Sequence, residues 1–111
     1  MSSERLKTGV WVSMALRLGN NSGRYGVVVR RGDADAGGVL VLLRGRTGLI
    51  VLTQARTAEG GAAWVRGTGA EPVDQPAADA YIARQLKYDP DLWVLEFEAP
   101  DLRPPFEATV L

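Results

Sequence analysis

The chain has no cysteine and no histidine in its 111 residues, and each absence removes a block of chemistry. Without cysteine there is no disulfide, no thiolate nucleophile and no zinc site of the usual Cys/His kind. Without histidine there is no Ser-His-Asp or Cys-His pair and no imidazole to carry protons near neutral pH. Any catalysis falls to carboxylates, lysine, tyrosine or a hard cation held by oxygen, so the reading leans away from an enzyme. Lysine is scarce as well: there are eleven arginines but only Lys7 and Lys87. No apolar run approaches the roughly 20 residues that span a bilayer, and residues 1–7 have no apolar segment after their charges. The expectation is a cytoplasmic protein with no membrane partner and no cofactor.

What is present is unevenly spread. Residues 1–70 hold ten basic and four acidic residues, whereas residues 71–111 hold three basic and nine acidic, so a net charge of zero conceals two opposed halves. Such a split predicts either an intramolecular clasp or a surface that seeks charged partners.

The apolar pattern predicts one α+β domain over residues 1–98, in the order α-β-β-β-β-α-β. A mostly antiparallel sheet packed by two helices follows from it. The first helix starts near Thr8, a potential cap, with Val10, Trp11, Met14 and Leu18 as its core stripe and Gly19-Asn20-Asn21 as its stop. Strands are expected over 25–30, 39–43, 49–53 and 62–66, joined by Gly-rich turns as consecutive antiparallel neighbours. The second helix opens at Gln75-Pro76 with Asp74 as cap, turns Tyr81, Ile82 and Leu86 inward, and ends at Asp89-Pro90. Residues 92–98 alternate, with Trp93, Leu95 and Phe97 on one face and Glu96 and Glu98 on the other, as in a half-buried edge strand. Residues 99–111, with Pro104-Pro105, form an extended and loosely held C-terminal tail.

The central apolar runs show little alternation, which points to strands covered on both faces. Two helices of about three turns each cannot cover both faces if they lie on the same side. A second copy is then the simplest cover, and a homodimer is expected.

Three clusters are candidate sites. In the stretch from Gly32 to Gly38, Asp33 and Asp35 occupy the first and third places of a calcium-type loop. Gly37 and Arg44 then stand where further oxygen ligands belong. The same stretch lacks the Lys-Ser/Thr of a phosphate loop, so an Asp/Gly turn is the plainer reading. Arg30, Arg31, Arg44 and Arg46 flank the turns and would suit phosphate or an acidic protein if they met at one end of the sheet. No aromatic stacking platform is interleaved among them. Asp89 and Asp91 straddle a proline and serve either as ligands or as a helix stop, with Trp93 as core.

Several stretches carry a likeness beyond composition: residues 5–12, 29–41, 71–74, 79–85 and 88–94, occurring in that order. They include Arg30-Arg31-Gly32-Asp33-Ala34-Asp35 and Tyr88-Asp89-Pro90-Asp91-Leu92-Trp93. Together they resemble domain-of-unknown-function family 1491, small proteins of alphaproteobacteria. The resemblance spans nearly all of residues 5–98, implies no activity and transfers no catalytic residue.

The reading that follows is a non-catalytic binding or adaptor module whose partner is itself or another protein. Two alternatives stand beside it: a nucleic-acid or phosphate binder using Arg30, Arg31, Arg44 and Arg46, and a metal-assisted enzyme using Asp33, Asp35, Asp89 and Asp91.

Overall fold

Among the described residues, two helices and five strands form where the apolar runs and turn residues place them. The computed structural model describes residues 6–111. The reading of residues 1–5, including Arg5 of the family-like stretch, lies outside that range. The elements are α1 (Thr8–Ser22), β1 (Gly26–Arg30), β2 (Val39–Arg44), β3 (Leu49–Arg56), β4 (Ala62–Arg66), α2 (Gln75–Tyr88) and β5 (Trp93–Glu98). The α+β class and element order are those the sequence predicts, and three of the four strand pairings are antiparallel.

The strand order is β1-β5-β2-β3-β4. β5 is therefore central, not an edge strand: it pairs antiparallel with β1 and parallel with β2. Its supposedly polar face explains the difference, because Val94 is buried there beside Glu96. The chain between β1 and β2 is long enough to pass over an inserted strand, so these two are not neighbours. This insertion also answers the charge question. β5 of the acidic half lies between β1 and β2 of the basic half, and two of the three ion pairs among the described residues, Arg24–Asp101 and Arg44–Glu96, join the halves.

The helices lie on opposite faces. α1 covers Val41, Leu43, Leu95 and Phe97, while α2 covers Leu40, Leu42, Val51 and Val94. α2 forms as expected: Asp74 Oδ1 accepts from the Ala77 N–H at 3.0 Å, Pro76 stands in the first turn, and Ala78 is fully buried against the sheet. Burial of these two apolar layers is the main stabilising term, at about 25 cal/mol per Å² of apolar surface.

α1 differs from expectation in its cap, its stop and its buried face. Lys7 takes the cap position without a side-chain bond, and Thr8 Oγ1 instead donates to the Gly37 carbonyl at 2.7 Å. The helix runs through Gly19 and ends at Gly23, whose φ of 76° is the left-handed conformation glycine tolerates. Val12, Ala15 and Gly19 face the core, whereas Val10, Met14 and Leu18 are exposed. Small residues win this face because Gly19 packs directly on the Phe97 ring, where an added Cβ would approach within 2.9 Å.

Residues 99–111 are not loose, and they are not extended throughout: the Leu102 N–H donates to the Ala99 carbonyl at 2.8 Å, closing a turn at the start of the segment. Phe106 is buried, and its ring meets Trp11 edge-on at 5.0 Å between centroids. Trp64 bridges Val110 in parallel, its N–H donating to Thr109 and its carbonyl accepting from Leu111, both at 2.8 Å. The tail thus completes the α1 face and closes the β4 edge. A radius of gyration of 13.4 Å, close to the about 13 Å expected for one domain of this length, agrees with a packed terminus.

Candidate functional site

The predicted site residues fall at two ends of the sheet. Arg30 pairs opposite Val94 near the start of β5, whereas Arg44 pairs opposite Glu98 at its end. Arg46 follows Arg44 in the β2–β3 hairpin. The four arginines therefore do not converge, because β1 runs antiparallel to β2.

Most of them are engaged within the fold. Arg30 Nη1 donates to the Leu92 carbonyl at 2.7 Å, and the Arg31 guanidinium lies 5.2 Å from the centroid of the Trp93 ring. Arg44 donates from Nε to Glu96 at 2.9 Å and from Nη2 to Gln75 at 2.8 Å. Of these four, Arg46 alone makes no ion pair, side-chain hydrogen bond or ring contact among the described residues, and it is exposed.

Asp33, Asp89 and Asp91 do come together, but mainly through backbone atoms. The Asp33 N–H donates to the Asp91 carbonyl at 3.0 Å, and the Asp33 carbonyl accepts from Trp93 Nε1 at 2.8 Å. The Asp33 carboxylate accepts from the Ala36 N–H at 2.8 Å, and Asp89 accepts from the Asp91 N–H at 3.1 Å. These are turn-fixing bonds of the kind short acidic side chains supply. Gly32 and Gly37 lie so close to the Asp91 carbonyl that neither site has room for a side chain. Asp35 faces away, 3.7 Å from Lys7 Nζ, in a pair too exposed to matter much for stability. Among the described residues no group of three acidic side chains is placed to hold a metal ion.

The same loop holds α1. The N–H groups of Thr8 and Gly9, which a capping side chain would normally help satisfy, donate to the carbonyls of Asp35 and Ala34. Beside it, a groove of about 1250 Å³ runs between the start of α1, the ends of β3 and β4, and Phe106–Thr109. Its aromatic floor of Trp64 and Phe106 is almost wholly buried, so little of it is open to a ligand.

Sequence reasoning missed the outer edge of β1. Tyr25, Val27 and Val29 are 58%, 59% and 56% exposed. The alternation that would have revealed them is hidden in an unbroken run of valines. No helix among the described residues is long and apolar enough to cross a membrane.

The described residues form a three-layered α+β domain, with one helix on each face of the sheet and most of its candidate polar side chains engaged within the fold. The chain belongs to the family described as "Protein of unknown function (DUF1491)", whose model matches residues 6–107 and so extends well into the C-terminal stretch. It is similar to a DUF1491 family protein from Caulobacter crescentus CB15 solved by crystallography. Identity is 33%, coverage is 96% of this chain and 100% of the other, and the TM-score is 0.84. An NMR structure of a DUF1491 family protein from the same organism is 32% identical over 98% and 99% of the two chains, with a TM-score of 0.82. Protein Atu0922 from A. tumefaciens shares the fold at 22% identity, 97% and 98% coverage and a TM-score of 0.80. No curated protein matches the sequence.

Proposed function

We propose that the chain is a non-catalytic protein-binding module that self-associates and acts as an adaptor through its folded surfaces. The observation that carries this reading is the outermost strand β1, whose Tyr25, Val27 and Val29 stand exposed on the sheet face opposite α1. Exposed edges are normally blunted by lysine, proline, charge or a covering segment. The segment from Tyr25 to Val29 has none of the first three. The sheet-cover argument for a dimer lapses, since the helices occupy opposite faces; the edge replaces it. A phosphate-binding reading has less support, because the arginines are divided between two ends and three of them have internal partners.

Sedimentation velocity from about 10 μM to about 1 mM tests the reading, a range that captures the weak pairs expected of small interfaces. A sedimentation coefficient that rises with concentration supports it. A single monomeric species throughout contradicts it.

A further inference from the structure

We propose that residues 103–111 are a displaceable internal ligand, and that the place they occupy against β4 is a binding site for an extended peptide of the same chemistry. This deepens the protein-binding half of the reading above by naming a ligand class. It rests on that half and does not require self-association.

The site is built from elements that do not include its occupant. Trp11 on α1, Trp64 on β4 and Phe97 on β5 surround the Phe106 ring, with centroids 5.0, 5.5 and 6.3 Å away. Those three residues stand on a helix and two strands of the five-stranded sheet. Beside them, the N–H and carbonyl of Trp64 point out of the sheet edge, where Thr109 and Leu111 take them at 2.8 Å. This is strand addition to an edge, a general mode of holding extended peptides. The side chains alternate: Phe106, Ala108 and Val110 pack on the core, while Glu107, Thr109 and Leu111 are exposed. The matching ligand runs parallel to β4 and carries an aromatic, a small and an aliphatic residue at alternate positions.

The segment is also poised to leave. Its base is fixed, since Asp101 accepts from Arg24 Nη2 at 2.8 Å. Leu102 follows at φ 59°, alone among the described non-glycine residues in the left-handed region, a conformation its side chain disfavours. Release of the segment lets this backbone relax. Pro104 and Pro105 have no N–H to donate, and among the described residues 104–108 make no backbone hydrogen bond to the rest of the domain. The closed state thus hangs mainly on Phe106 and the two bonds at Trp64. One flank of the segment already borders the groove between α1 and the ends of β3 and β4.

Hydrogen exchange on the full chain is the first test. The N–H groups of Trp64 and Leu111 should exchange about 100-fold faster than those of β2 and β5, because they open with the segment alone. Exchange no faster than in β2 and β5 overturns the proposal. The second test adds a synthetic peptide of residues 103–111, which contains no tryptophan, and follows the tryptophan fluorescence of the protein. Phe106→Ala in the full chain, shown by circular dichroism to fold, should bind the peptide at least about tenfold more tightly than the unmodified chain, whose site is open only a fraction of the time. The same peptide with Phe106→Ala should bind neither protein. A folded variant that ignores the peptide, or takes both peptides equally, overturns the site; if the variant does not fold, the exchange result decides. Sedimentation of the unmodified chain is independent of both tests, so a monomer at every concentration removes self-association and leaves this site standing.

Discussion

Trp64 and Val110 form a parallel bridge that turns the C-terminus into a cover for the outer edge of β4. The opposite edge, β1, has no equivalent segment among the described residues. This asymmetry organises the molecule: one edge is closed by its own chain, and the other presents Tyr25, Val27 and Val29. Removing residues 109–111 deletes two backbone hydrogen bonds to Trp64 and uncovers part of its ring. At about 1 kcal/mol per net hydrogen bond, plus lost packing, the expected loss is about 2–3 kcal/mol. Urea unfolding followed by tryptophan fluorescence measures it, and an unchanged midpoint contradicts the account of the tail.

Phe97 packs in a slot whose walls are Gly19 and Gly26, so Gly26→Ala should destabilise. The new Cβ would come within 2.5 Å of the ring, forcing a shift that costs about 1–3 kcal/mol. Adding Phe97→Leu frees space, and the double variant should lose less than the sum of the two single changes. Strict additivity in chemical denaturation would mean that the glycine and the ring do not share this space.

Arg24 grips Asp101 through both guanidinium nitrogens, the second at 2.8 Å, and ties the α1–β1 turn to the C-terminal segment. The hydrogen bond from Arg24 lowers the Asp101 carboxyl from 3.8 to about 2. A depressed carboxylate contributes stability above its unfolded value. That contribution falls away as the pH drops from about 4 toward about 2. NMR titration of the Asp101 side chain should show the low value, and Arg24→Ala should return it toward the ordinary range. A normal titration in the unmodified chain would refute the pairing in solution.

The carboxylates of Asp33 and Asp89 hold turns by accepting from backbone N–H groups. Calcium, magnesium or manganese at millimolar excess should therefore leave the melting temperature unchanged, because only a ligand of the native state raises it. A rise of several degrees with any one ion would reinstate a cation site in these loops.

Much of this fold is legible in the residues, and what is not has identifiable physical causes. α2 is readable because Asp74, Pro76 and the Tyr81–Ile82–Leu86 stripe agree with one another. α1 misleads because its large side chains form a stripe that suggests the inner face. Close packing instead favoured Ala15 and Gly19, leaving Met14 and Leu18 outside. Insertion of β5 between β1 and β2 is a long-range pairing that no local signal encodes, although Val94 on its polar face marks a strand covered on both sides. The candidate arginines and aspartates were visible as residue types. Their partners, such as Leu92 for Arg30 and Trp93 for Arg31, depend on that same inserted strand.

Amide hydrogen exchange at Gly26 and Val28, followed by NMR across a concentration series, tests the open edge most directly. The Tyr25 carbonyl accepts from the Glu98 N–H, which turns the N–H groups of Gly26 and Val28 outward from β1. They should exchange quickly in dilute protein and gain protection as concentration rises, while Val27 stays protected throughout. Exchange at Gly26 and Val28 that remains fast at every concentration would show that self-association does not use this edge.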